Sequence, residues 1–298
     1  MIVIAHRGAR AFAPENTLEA FDKAFVIGAD AVELDVQLSA DGMPFVWHDS
    51  DLRRCSDVEA RFPHRAPWNA WHFTLDELRQ LDAGSWFARE LSLPPKARQP
   101  FLRTLSDDER SAWCDERDAR DYASGTIRVP TLVEALDCCR QHGLQVHVEL
   151  KSIPRLWPEL AERVLSDIDR LAMRDAVVVS SFDHRQLARM RALAPDIELA
   201  VLSSDRLHRP AAYLAMLGAG TYVVGCHGDD DTLGFQSPSG ELDSDMIDAL
   251  RDAGYGVAAW TENDPVRMRA LVDAGICGIF TDYPNRLLEV LGRAARGR

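Results

Sequence analysis

Between Ala31 and Asp49 the chain reads AVELDVQLSADGMPFVWHD, which sets two carboxylates and an imidazole at spacings that can do chemistry. From Val32 to Leu38 the residues alternate, with Val32, Leu34, Val36 and Leu38 on one side and Glu33, Asp35 and Gln37 on the other. A period of two is a strand with one face in a core. Asp41-Gly42 is a dipeptide that accepts the positive φ angles of a two-residue hairpin turn. With that loop Ala40 pairs with Met43, and counting outward places Asp35 opposite His48, their Cβ atoms about 5 Å apart. Glu33, Asp35 and His48 then converge on one face. That face is either the solvated side of an amphipathic hairpin or a divalent-metal site beside a proton-transfer group.

Similar residues recur where other apolar runs end. Ile2 to Ala5 leads into His6-Arg7-Gly8, Leu144 to Leu150 carries Glu149 and leads into Lys151, and Gly256 to Trp260 leads toward Asn263. Three carboxylates, Glu33, Asp35 and Glu149, with waters make the all-oxygen set that Mg²⁺ or Ca²⁺ prefers. Arg7 and Lys151 are local cations for an anionic substrate, the arginine fork matching phosphate oxygens. His6 and His48 suit the paired tasks of taking and giving a proton. Glu149 inside an apolar strand is costly to bury unpaired, although Lys151 offers it a salt bridge. Asn16 and Glu15 read either as a helix cap or as supports for the site. Asp49 reads as an orienting group and Asp282 as a turn former. The remaining histidines read as structural, with His227 at a strand end facing the same mouth.

These groups need a scaffold that gathers strand ends. Helical patterns follow the apolar runs throughout: a helix opening at Asn16 or Thr17 and closing at Gly28, then helices over Thr131–His142, Leu156–Met173, Asp183–Leu193, Arg209–Leu217, Asp243–Ala253, Pro265–Ala274 and from Asn285 onward. Strands lie between them at Ala176–Ser180, Ile197–Leu202, Thr221–Gly225 and Gly278–Thr281. Repeated βα units mean a mainly parallel sheet. No Gly-rich phosphate fingerprint favours the open form, so length and unit count predict a closed (β/α)₈ TIM barrel, whose reactive groups sit at the strand C-termini. Nine strand candidates compete for eight places; the tight hairpin makes the second and third antiparallel, or puts one outside the ring. The chain reads as one catalytic domain over 1–298. Asp51 to Phe73 reads as loop, Leu75 to Leu81 as a short helix, and 88–128 as an inserted excursion, with a helix near Ser106–Trp113, that serves as a lid or small subdomain.

At 298 residues and 46% hydrophobic the chain is an ordinary globular protein. A net charge of −13 disfavours nucleic acid or an anionic membrane surface as partner. Six cysteines show no CxxC pair or zinc spacing and fit a reducing, cytoplasmic setting. No run approaches the roughly 18 apolar residues of a membrane span. A monomer or homodimer acting on a small molecule is expected.

The ordered set His6-Arg7-Gly8, Pro14-Glu15-Asn16-Thr17, Glu33-Leu34-Asp35-Val36, Asp41-Gly42, His48-Asp49, Glu149-Leu150-Lys151, Ser181-Phe182, Trp260-Thr261-x-Asn263 and Thr281-Asp282-Tyr283-Pro284 resembles the glycerophosphodiester phosphodiesterase family, within the PLC-like phosphodiesterase superfamily. The resemblance runs from His6 to Pro284. It implies a TIM barrel, a divalent metal, and hydrolysis of glycerophosphodiesters to glycerol phosphate and an alcohol. By position, His6 and His48 match its acid/base pair, Glu33, Asp35 and Glu149 its metal ligands, Arg7 and Lys151 its phosphate contacts, and Trp260 an aromatic at the pocket rim. Two departures bear on which substrate fits: the long 88–128 excursion, and Cys55 where a threonine is expected. Two other readings stand beside this one. A lysophospholipase D or sphingomyelinase D activity would need an apolar groove, roofed by Leu91, Leu93 and Phe101; a non-catalytic barrel would simply hold a phosphate ligand.

Overall fold

The strand and helix signals close on themselves. The computed structural model describes residues 1–152, 157–225 and 243–297. Its strands are β1 (Ile2–Ala5), β2 (Ala31–Leu38), β3 (Pro44–Val46), β4 (Gln145–Leu150), β5 (Val177–Ser181), β6 (Glu198–Ser203), β7 (Thr221–Gly225), β8 (Gly256–Trp260) and β9 (Gly278–Thr281). All but β3 form a parallel ring in the order β1-β9-β8-β7-β6-β5-β4-β2, closed where Ile4 and Ala5 pair with Ala31 and Val32. The ninth candidate is therefore β3, which flanks β2 antiparallel outside the ring. The barrel helices are α1 (Leu18–Ile27), α2 (Leu132–His142), α3 (Leu160–Arg170), α4 (His184–Leu193), α5 (Pro210–Leu217), α6 (Ser244–Asp252), α7 (Pro265–Asp273) and α8 (Pro284–Val290). The fold is a (β/α)₈ TIM barrel.

Local chemistry sets the ends of these elements. Thr17 caps α1 by accepting a hydrogen bond from the Ala20 amide, and Gly28 closes it at φ 110°; a cap of this kind contributes about 1 kcal/mol. Thr131 caps α2 reciprocally with Glu134. Expected boundaries mostly hold to a residue or two. The predicted Leu156 start of α3 lies outside the described residues, as do Cys226 and His227. Two regions are more structured than expected. The 51–73 stretch contains a helical turn at Val58–Arg61 and a 3₁₀ turn at Ala70–His72, a helix at Ser85–Ser92 runs into the excursion, and the excursion carries helices at Asp107–Trp113 and Glu116–Tyr122. Capping boxes at Ser106/Glu109 and Asp115/Asp118 start the last two. The Leu75 helix is shorter than expected, ending at Leu78.

Both faces of β2 are buried, not one. Val32, Leu34, Val36 and Leu38 pack under the helices, while Ile4, Ala31, Val178, Ala200, Val223, Ala258 and Phe280 plug the barrel floor. This floor sets the phase for the site. Two residues on from an inward floor residue comes the next inward one, so Ile4 leads to His6, Ala31 to Glu33 and Asp35, Ala258 to Trp260, and Phe280 to Asp282. All of these point into the mouth at the strand C-termini.

Candidate active site

β2 and β4 run side by side with Glu33 opposite His147 and Asp35 opposite Glu149. Glu33, Asp35 and Glu149 each bring one oxygen to within 4.8 Å of the others. Two of the oxygens, Glu33 Oε1 and Asp35 Oδ1, are buried without a hydrogen-bond partner, which is costly unless something positive meets them. Arg7 Nε lies 3.3 Å from Asp35 Oδ2, and Lys151 Nζ lies 2.9 Å from Glu149 Oε1 and 3.7 Å from Asp35 Oδ1. The Arg7 amide donates to Glu33 Oε2 at 2.9 Å, from a backbone held at φ 54°, and Asn16 Nδ2 donates to Asp35 Oδ2 at 2.8 Å. Burial drives the Glu33 carboxyl well above the usual range and also raises Glu149. Burial opposes the charge on Asp35 too, but His48, Arg7 and Lys151 together hold it below the usual range. Three crowded carboxylates with orphaned oxygens against two cations are short of positive charge. An all-oxygen donor set of this kind fits a hard divalent cation.

The imidazoles reach this cluster by different routes. His6 Nδ1 is 2.8 Å from Asp282 Oδ1, and its Nε2 looks toward Glu33 Oε2 at 4.0 Å. A carboxylate only accepts, so Asp282 holds the proton on Nδ1 and leaves Nε2 without one, able to accept. Burial, aided by Arg10 and Arg7, lowers His6 to about 4, so the ring is neutral near pH 7. Asp282 is more than a turn former. It also accepts from Arg10 and from Asn263 Nδ2 (2.7 Å), and its amide donates to Asn263 Oδ1 (2.9 Å).

His48 does not sit opposite Asp35. The register pairs Val36 with Val46, Gln37 with Phe45 and Leu38 with Pro44, and the Trp47 amide donates to the Asp35 carbonyl. The loop has three residues, not two: Gly42, at φ 76°, donates to the Ser39 carbonyl and Ser39 pairs with Met43. A three-residue turn with glycine in the left-handed position shifts the register by one. His48 follows β3 and is brought inward by Gln37, whose Nε2 donates to the carbonyls of Trp47, His48 and Asp49. Its Nδ1 meets Asp49 Oδ1 at 2.6 Å. Asp49 is gripped by Arg54, which also clamps Glu15; Glu15 in turn accepts from Arg7 Nη1 at 2.9 Å. Burial works against Asp49's charge, but its bonds to His48 and Arg54 bring it down to about 2.

The mouth has two connected chambers. The inner one, about 330 Å³, is lined by His6, Glu33, His48, Glu149, Lys151 and Trp260 among others. Trp260 lines it, edge-on to Phe182 with centroids 5.3 Å apart. The outer chamber, about 760 Å³, shares Arg7, Arg10, His48 and Thr261 and adds Arg54, Gln99 and Phe101. The excursion thus supplies wall residues. Tyr283 Oη bonds the Phe101 carbonyl at 2.6 Å, and Arg286 is forked onto Glu109. Leu91, expected to roof an apolar groove, is in the core instead; Leu93 is exposed and Phe101 lies under the Arg10 guanidinium at 4.2 Å.

His6, Arg7, Glu33, His48, Glu149, Lys151 and Trp260 line the inner chamber and Asp35 belongs to its acidic cluster, whereas Asp49, Asn263 and Asp282 line the outer one. Sequence reasoning missed Arg10, Arg54 and the true role of Asp282. Only Asp282 left a signal, its inward phase two residues after Phe280. Cys55 is buried beside Arg54 and Glu15, where burial pushes its thiol well up.

The profile of the Glycerophosphoryl diester phosphodiesterase family matches residues 6–286. The chain is 29% identical to a glycerophosphodiester phosphodiesterase of Bacillus altitudinis over 97% of both chains. It is 27% identical to one from Caldanaerobacter subterraneus, again over 97% of both. A phosphodiesterase structure from Oleispira antarctica, in complex with the product sn-glycerol-3-phosphate, superposes with a TM-score of 0.77 at 27% identity, covering 98% of this chain and 97% of that one.

Proposed function

The chain belongs to the Glycerophosphoryl diester phosphodiesterase family, and from that premise we propose that it hydrolyses glycerophosphodiesters to glycerol 3-phosphate and an alcohol with a divalent cation and two histidines. One observation carries the reading: two imidazoles, each with a carboxylate on Nδ1, open onto the chamber that holds the three-carboxylate cluster. Glu33, Asp35 and Glu149 would hold Mg²⁺ or Ca²⁺, which when bound neutralises charge on the phosphate and acidifies an attached hydroxyl. Arg7 and Lys151 bind non-bridging phosphate oxygens and steady the charge that builds there. His6 Nε2 takes the proton of the attacking oxygen, which comes from water or the substrate's own glycerol hydroxyl. His48, which alone of the two also borders the outer chamber, gives a proton to the departing alkoxide as its bond to phosphorus breaks. The same reading takes 1–298 as one catalytic domain, with the 88–128 excursion as a fixed wall of the alcohol's chamber.

The test is turnover of glycerophosphocholine. His6→Ala and His48→Ala each reduce kcat by about 10²–10⁴-fold while the unfolding midpoint stays near wild type. Near-full turnover in both variants would overturn the assignment. The charged outer chamber gives a lipid tail little to bury against, so turnover on lysophosphatidylcholine is expected to be far below that on glycerophosphocholine; the reverse order would favour the lipid reading.

A further inference from the structure

Outside the barrel, α1 and α2 pack side by side and bring together three donors of different kinds. Cys138 and His142 are four residues apart on α2 and so share a face; Asp22 comes from α1. One ligand atom from each lies within 4.8 Å of the other two. Asp22 Oδ1 is 2.7 Å from His142 Nε2 and accepts from Cys138 Sγ at 3.3 Å. Phe25 stacks on the His142 ring, with centroids 4.2 Å apart and planes 14° from parallel, so the ring is held with Nε2 toward the cluster. Glu19 and Asp137 add negative charge near the thiol.

We infer that Asp22, Cys138 and His142 form a second metal site, for a borderline dication of the zinc type rather than for Mg²⁺ or Ca²⁺. Ligand chemistry makes the distinction: a thiolate and an imidazole select Zn²⁺, Co²⁺ and their neighbours, whereas the inner cluster is all oxygen. Three protein donors and a water complete a tetrahedron. Binding releases the Cys138 thiol proton to solvent, and no electrons move. The site can be reached, since the Asp22 side chain is 58% and the His142 side chain 27% exposed. A bound ion would tie α1, which follows the His6-Arg7 turn, to α2, which precedes the strand of Glu149. It would act as an external staple across the two segments that build the inner chamber.

Cobalt is the probe, added to the full-length protein with its inner cluster saturated by Mg²⁺. One equivalent should bring up the near-ultraviolet absorption of a thiolate–cobalt bond, which zinc then abolishes by competition. Cys138→Ser removes the band and His142→Ala removes or strongly weakens it, with turnover of glycerophosphocholine unchanged in both. No thiolate band in the wild-type protein, or a band that survives Cys138→Ser, overturns the inference. A loss of turnover in parallel with the band also overturns it, because the site would then not be separate from the inner chamber.

Discussion

At the scale of single residues, the proposed proton transfer needs a carboxylate on each imidazole to decide which nitrogen carries the proton. Asp282 does this for His6, and it is itself held below the usual carboxylate range: burial opposes its charge, and Arg10 and His6 outweigh that. Asp282→Asn keeps the shape but can present an N–H to Nδ1, turning the ring toward the wrong tautomer. It should lower kcat about 10²-fold with KM little changed, and a kcat within a few-fold of wild type would sink the role given to Asp282. Glu33, Asp35 and His6 were legible in the sequence because they continue the inward phase of their strands, and Arg7 because it follows directly on the end of β1. Arg10 and Arg54 were not. Arginines in loops carry no period, and the bond from His6 to Asp282 spans 276 positions of the chain.

Among the elements, the turn after β1 is the tightest junction. Gly8 has φ +79°, and a Cβ there would lie 2.6 Å from the Ala20 Cβ and 2.7 Å from its carbonyl carbon. Gly8→Ala therefore combines left-handed strain with a clash against α1 and should cost about 3 kcal/mol, read as a lower midpoint in denaturant. The excursion's anchor is open to a pH test. Glu109 bonds Arg286 and the Ser106 amide, and these outweigh burial to lower its carboxyl to about 2 from an ordinary 4.5. A group depressed in the folded state stabilises fully above its unfolded pKa and loses that contribution as pH falls toward the folded one. Wild type should exceed Glu109→Gln by about 2 kcal/mol at neutral pH, the gap closing between pH 4.5 and 2. A gap that did not change with pH would show that charge on Glu109 contributes nothing. The excursion's helix near Ser106–Trp113 was readable, but the one at Glu116–Tyr122 and the docking to Tyr283 and Arg286 were not, because nothing local marks which surface a helix will meet.

For the whole molecule, the barrel brings β2 and β4 together although more than a hundred residues separate them in sequence, and that closure creates the acidic cluster. Chelation should abolish turnover and readdition of Mg²⁺ or Ca²⁺ restore it, and the stripped protein should melt several degrees lower because its three carboxylates lose their counter-charge. Full activity after exhaustive chelation would refute the metal reading. Among the described residues, no helix is long and apolar enough to cross a membrane.

Periodicity in the sequence was enough to establish the βα repeat and which residues of β2 share a face, since a period of two is a property of the strand itself, and length and unit count added the barrel class. Tertiary structure alone decided the β2–β3 register, the ninth strand's place outside the ring, and the circuit of Asp282, Arg10, Asp49, Arg54 and Glu15 behind the two histidines. A period says which residues share a face. What stands opposite them is settled by loop closure and by contacts between distant segments, neither of which leaves a local trace.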